Sequence, residues 1–199
     1  MKLLPKASFK IIGMMIAACF LLTSCLQHPE SVKMNVAQKK AEWPNSEVTR
    51  ESVQLALEDA SGDGVIGIKR AKDIQLQGAN NKTVTVDLKH ESKDPDRLMK
   101  EASETLIHYS KILLKNKGIG TVEICMFGNP DPYGGKSVSK ETVRIAINRE
   151  DLQKGQDAWK SPVENYVTIF RHASWYKIHP RLYKHLLHKE QLKTRDYLK

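Results

Sequence analysis

Between residues 83 and 88 the chain alternates strictly: Val84, Val86 and Leu88 are apolar, while Thr83, Thr85 and Asp87 are polar. A period of two predicts a strand with one buried face. Val122, Ile124 and Met126 alternate in the same way with Thr121, Glu123 and Cys125. Val143, Ile145 and Ile147 alternate with Arg144, Ala146 and Asn148. Val65, Ile66, Ile68, Ile74 and Leu76 read as extended chain ahead of the turn Gly78-Ala79-Asn80-Asn81. These segments make two hairpins. Between them Leu98, Ala102, Leu106, Tyr109 and Leu113 recur at helical spacing over 95–117. Asp94 is placed to cap that helix, Pro95 fits its first position, and Lys115, Lys117 and Gly118 supply a stop. A shorter helix is predicted from Asn45 or Ser46 to about Ala60, with Val48, Val53, Leu55 and Leu57 on its apolar side. Helix, hairpin, helix, hairpin predicts an α+β domain over 46–157: an antiparallel sheet of about four strands, with the 95–117 helix packed on one face.

Beyond Gly155 the period lengthens. Ser161-Pro162-Val163-Glu164 has the form of a capping box with proline at the first helical position. Val163, Tyr166, Val167 and Phe170 continue as a helical stripe, which His179-Pro180 ends. Leu182, Tyr183, Leu186 and Leu187 then predict a shorter amphipathic helix. Residues 158–199 are therefore expected to be a basic amphipathic helical segment.

The N-terminal pattern differs from both. Lys2, Lys6 and Lys10 lead into an apolar run from Ile11 to Leu22, and no acidic residue precedes Cys25. A bilayer span needs ~20 apolar residues, so this run is too short to cross one; charge, length and small residues together read as an export signal. Its last four residues, Leu22-Thr23-Ser24-Cys25, resemble the lipobox of bacterial lipoproteins. The resemblance covers residues 1–25 and says nothing of the fold beyond. It implies a diacylglyceryl group on the Cys25 thiol, cleavage after Ser24 and acylation (palmitate, for example) of the new amino group. Residues 1–24 would then be a signal peptide and 25–45, polar and weakly patterned, a tether. Two acyl chains hold a protein stably where one is marginal. Leu26 stands where an acidic residue would signal inner-membrane retention, so the resemblance points to the outer membrane of a two-membrane cell, or to the cell membrane otherwise. An ordinary signal peptide would account for the leader, but not for a cysteine at the first mature position.

Composition agrees with a folded domain: 40% of residues are hydrophobic and 28% charged. Charge placement is more informative. The chain carries +9. Three of those charges are in the leader. Residues 159–199 hold nine Lys or Arg against three acids, so the stretch between is neutral overall. With Cys25 lipidated, Cys125 is the one thiol left in the mature chain, and no intramolecular disulfide can form. Cys125 sits in an apolar strand and reads as a small buried hydrophobe.

Candidate chemistry is sparse. Asp59, Ser61 and Asp63, followed by Gly64, have the spacing that opens a calcium loop, but Arg70 occupies the place of the bidentate glutamate. A helix-to-strand turn uses the same residues, and the missing ligand favours it. His179, His185 and His188 cluster, with His185 and His188 at i,i+3 on one predicted helix face, but a third zinc ligand of fitting geometry is missing and the nearby acid is only Glu190. The loop from Asn129 to Gly135 has no phosphate-binding ending and offers Tyr133 as a recognition residue. Neither a nucleophile elbow nor a local Cys-His signature is present. Arg171, Lys177, Arg181, Lys184, Lys189 and Lys193 are interleaved with Tyr166, Phe170, Trp175, Tyr176 and Tyr183. In an exported protein that pattern points to anionic lipid, an anionic wall polymer or an acidic protein rather than to nucleic acid. The same aromatics would also serve as core, with the lysines as their solvated side.

The expectation is a lipid-anchored envelope protein acting as a binding or adaptor module, with no cofactor. An envelope hydrolase with a site assembled across the fold, and a calcium-dependent surface module, are the alternatives. Mass spectrometry of the envelope protein tests the anchor. The mature chain should begin at Cys25 and carry the mass of a diacylglyceryl group, and Cys25→Ala should leave the leader uncleaved. An unmodified Cys25 in the purified protein would remove both anchor and location.

Overall fold

The computed structural model describes residues 38, 40–131, 133, 139–155 and 166–192. Ser24, Cys25, the tether apart from residues 38 and 40–45, the capping box at 161–164 and Lys193 lie outside the described residues. All that follows concerns the unit Glu42–Lys199.

The five strands are β1 (Ala71–Gln77), β2 (Lys82–Lys89), β3 (Ile119–Gly128), β4 (Lys140–Asn148) and β5 (Trp175–Ile178). They form one sheet in the order β1-β2-β3-β4-β5. β1 and β2 are an antiparallel hairpin, as are β3 and β4. Gly78 and Asn81 turn the first hairpin with φ of +92° and +53°, a region open to glycine and tolerated by asparagine.

The domain is α+β, as the pattern predicts, but the sheet is mixed and has five strands rather than four antiparallel ones. β2 and β3 pair in parallel, with Val84 opposite Val122 and Val86 opposite Ile124. The helix between them explains this. Helix α2 (Pro95–Leu113; α1 is introduced below) has 19 residues, about 28 Å at 1.5 Å per residue. It returns the chain to the end of the sheet from which β2 started, and a parallel pair needs such a crossover.

Asp94 caps α2 as expected, accepting from the Asp96 and Arg97 amides at 3.0 and 3.3 Å. Leu98, Ala102, Leu106, Tyr109 and Leu113 are all buried. So are Val84, Val86, Leu88, Val122, Ile124, Met126, Val143, Ile145 and Ile147 on the facing side of the sheet. Burial of α2 extends to Met99, Ser103, Ile107 and Ser110. Helix α1 (Arg50–Leu57) and helix α4 (Tyr166–His172) both pack on α2, widening its buried stripe beyond one face.

The first helix is shorter than its apolar pattern suggests. Trp43–Asn45 is a separate 3₁₀ turn, and α1 begins after Thr49, whose hydroxyl accepts from Ser52 N at 3.1 Å. The Ser52 hydroxyl is hydrogen-bonded to Thr49 N in return, so a serine takes the role usually given to Glu or Gln in a capping box. Residues 65–68, expected as strand, are loop followed by a 3₁₀ turn, Ile68–Arg70. That loop is fastened to α2 by both backbone polar groups of one residue, Ile66. The Ile66 amide donates to Thr105 Oγ1 at 3.0 Å, and the Tyr109 hydroxyl donates to the Ile66 carbonyl at 2.7 Å.

The basic C-terminal stretch departs furthest from expectation. α4 stops at His172, and Trp175–Ile178 leaves the helical pattern to become β5 on the edge of β4. Ser174 N bonds to Ala146 O and His179 N to Thr142 O, closing both ends of the new ladder. Four residues are too few for their period to declare a strand; the free edge of β4 decides it. A short helix, α3 (Arg149–Lys154), follows β4 under an Asn148 cap, and α5 (Pro180–Lys184) follows β5.

Replacing Tyr109 by Phe leaves the buried Ile66 carbonyl unpaired and should cost about 1–3 kcal/mol. Leu106→Ala, which opens a cavity beneath α2, should cost about 2–5 kcal/mol. Urea denaturation measures both. A Tyr109→Phe chain as stable as its parent would remove this hydrogen bond from the account of how the loop is held.

Candidate functional site

β2, β3 and β5 point the same way, so their C-terminal ends meet at one end of the sheet. His90, Gly128 and His179 mark those ends, and α2 starts beside them. The C-terminal ends of parallel strands are where open α/β sheets gather ligands.

Asp96, in the first turn of α2, organises this end. Tyr166 donates its hydroxyl to Asp96 Oδ1 at 2.6 Å, and the Leu187 amide reaches the same oxygen at 3.3 Å. Burial and the neighbouring Asp96 carboxylate push the Tyr166 phenol well above its usual pKa. The segment after α5 is thereby drawn across the start of α2. Leu182, Leu186 and Leu192 fill the core, which turns Leu187 outward with 74% of its surface exposed. Tyr133 is 75% exposed, and its ring meets His185 edge-on with centroids 5.0 Å apart. Arg181 stands 3.9 Å from Asp131, and Lys189 Nζ donates to the Lys184 carbonyl at 2.9 Å. Two exposed apolar side chains thus share one end of the domain with Arg181, Lys184 and Lys189.

The same end of the sheet holds a buried histidine. His90 Nδ1 is 2.9 Å from Glu101 Oε2, its side chain is 1% exposed, and Arg97 also binds Glu101 at 2.9 Å. His90 Nε2 makes no hydrogen bond among the described residues. Gly128 packs on it so closely that a Cβ would lie 3.1 Å from the His90 carbonyl. Burial outweighs the Glu101 charge and lowers the His90 pKa. A carboxylate that orients an imidazole is one half of a general base, but no described hydroxyl or thiol is bonded to the other nitrogen.

Other candidates are scattered. Lys177 lies on β5 opposite Arg144, and Arg171 on α4 reaches the Gln191 carbonyl at 3.4 Å. The cations expected along the basic helical segment 158–199 are therefore divided, because β5 carries Lys177 onto the sheet. In the calcium-like loop Asp63 is 99% exposed and 4.0 Å from Lys100. Gly62 abuts His108, and Gly64 (φ +78°) abuts Glu104, so the segment packs as a turn against α2. Among the described residues, no group of three His, Cys, Asp or Glu side chains is placed to hold a metal ion.

One cluster was not singled out from the sequence. On the sheet face away from α2, Arg144 binds Glu123 at 3.0 Å and Glu141 at 2.9 Å. Burial raises the Glu123 and Asp87 pKa values and pushes the Cys125 thiol up further. That keeps Cys125 protonated, in line with its reading as an inert buried residue. The polar half of each alternating strand was the available signal, but which polar residues become neighbours depends on the pairing of β3 with β4.

Comparison with protein-family models, with curated proteins and with solved structures found no match. No described helix is long and apolar enough to cross a membrane.

The His90 shift has a definite sign. Its folded pKa is below the unfolded value of about 6.5, so the unfolded state binds more protons between the two. The neutral imidazole's contribution is present above about pH 6.5 and lost as pH falls through the folded value. His108 and His179 shift the same way, whereas the raised Glu104, Glu123 and Asp87 act oppositely. Comparing His90→Gln with the parent isolates the term. The variant's stability should fall less between pH 7.5 and pH 5.5 in urea titrations, and parallel losses would exclude the assignment.

Proposed function

We propose that this is an exported, lipid-anchored envelope protein that works as a binding module, its C-terminal end resting on an anionic lipid surface. The observation that carries the reading is the exposure of Tyr133 and Leu187 beside His185, flanked by Arg181, Lys184 and Lys189. Neither side chain gains from facing water. At a bilayer interface, an aromatic ring and an aliphatic chain find an apolar layer, while nearby cations meet lipid phosphates. Each basic residue close to an anionic surface adds about 1 kcal/mol before salt screening. An anionic wall polymer or an acidic protein would use the same cations. Leu187 favours the lipid, since a hydrated polyanion offers it no apolar layer. An anchor at Cys25 would supply the remaining affinity and keep the domain near the surface.

The test uses a chain starting at Leu26, so that no lipid masks the contact. It should sediment with vesicles containing phosphatidylglycerol and not with phosphatidylcholine alone, and high salt should release it. Reversing Arg181, Lys184 and Lys189 to Glu should weaken binding by at least roughly two orders of magnitude, from about 1 kcal/mol per lost contact. Leu187→Ser with Tyr133→Ser should weaken it while preserving the salt dependence. Equal binding to both vesicle types, or binding untouched by the charge reversals, would reject the surface as assigned.

A further inference from the structure

At the opposite end of the sheet, where β2 and β3 begin, a cleft of about 460 Å³ opens between the β1–β2 turn and the chain leading into α1. Its size falls within the ~300–1,000 Å³ of small-ligand sites. The floor is held by hydrogen bonds. The buried Asn116 amide donates to the Trp43 carbonyl at 2.6 Å and the Ser46 carbonyl at 2.9 Å, and its oxygen accepts from Gly118 N at 2.8 Å. Lys82 Nζ donates to the Val48 carbonyl at 2.9 Å. Arg149 holds the Asn116 and Ile119 carbonyls from behind, at 3.0 and 2.7 Å. The rim is the reverse. Asn45, Glu47, Asn80, Asn81 and Lys117 are exposed, and their side chains have no hydrogen bond or ion pair among the described residues.

We infer that this cleft binds a short oligosaccharide of N-acetylated amino sugars. Three unengaged asparagine amides each offer two donors and a two-lone-pair acceptor, which matches both an acetamido group and ring hydroxyls. Glu47 accepts from a hydroxyl and Lys117 donates to one. Pro44, Val48 and Ala79 give the acetyl methyl an apolar contact. One acid against two lysines leaves a net charge of only +1, so a polyanion is not the matching ligand. Among the described residues no aromatic side chain lines the cleft to stack on a sugar ring, and binding is therefore weak and carried by hydrogen bonds. This inference stands on the cleft alone and is independent of the membrane contact at the other end.

Calorimetry on the full chain in detergent micelles tests it, with the β1,4-linked trimer of N-acetylglucosamine as probe. The trimer should bind in the millimolar range, and the corresponding glucose trimer roughly three- to tenfold more weakly for the lost amide contacts. Asn81→Gly keeps the positive φ of that position, and Asn80→Ala touches only an exposed side chain. Each should weaken the acetylated trimer roughly threefold with an unchanged melting temperature. No heat with the acetylated trimer would overturn the inference. So would equal affinity for the two sugars, tighter binding of a triglycine peptide, or variants that bind as the parent does.

Discussion

Two neighbouring strands of this sheet are joined by a nineteen-residue helix, and the rest of the molecule is arranged around that crossover. Because α2 must return across the sheet, β2 and β3 are parallel. Because it lies on the apolar side of both, Leu98, Leu106 and Leu113 face Val84, Val122 and their neighbours. Each such side chain is worth about 1.5–3 kcal/mol of burial. α1 and α4 then cover the flanks of α2. The residues on those flanks include hydroxyls, and most of these are used: Ser103 returns its proton to the Met99 carbonyl, while Thr105 and Tyr109 hold the Ile66 peptide. The helix serves at once as the lid of the core and as the anchor of the loop before β1.

The other sheet face obeys a different rule. There the central positions are Thr85, Glu123, Cys125 and Arg144, and a half-buried guanidinium shared by two carboxylates satisfies charges that burial alone would expel. Breaking such a cluster from one side would strand the remaining charge, so its worth lies in completeness. The edge of the sheet is also managed locally. Asp73 accepts from the Ile74 amide at 2.9 Å, next to an irregularity in the β1–β2 register. An occupied amide and a bulge make β1 a poor template for another strand.

The two ends of the sheet contrast in a way that suits two kinds of contact. At the end where β2 and β3 begin, Arg149 ties down the carbonyls that follow α2 and Asn116 those of the chain leading into α1, leaving a hydrogen-bonded polar surface with unengaged amides above it. At the other end, the Asp96 carboxylate holds Tyr166 and Leu187, and exposed Tyr133 and Leu187 share that end with several cations and a buried histidine. A rigid polar cleft selects small ligands by hydrogen-bond pattern. An apolar-cationic end suits an extended surface, where many weak contacts add.

Local chemistry was legible from the residues themselves. The alternation at 83–88, 121–126 and 143–148 marks three strands and their buried faces, and Asp94-Pro95 marks the start of α2, because each signal is written within a few positions of the backbone it controls. The expectation of an export leader ending before Cys25 rests on sequence alone. Tertiary structure decided what depends on partners far along the chain. The parallel pairing follows from where α2 puts its far end. β5 exists because β4 has an open edge for Trp175–Ile178, which took Lys177 out of the helical segment the sequence suggested. Tyr133 and Leu187 share an end of the domain only because Asp96, some ninety positions from Leu187, holds the second of them in place. Hydrogen bonds across such separations leave no period in the sequence, and so the strands were foreseeable while the assembled site was not.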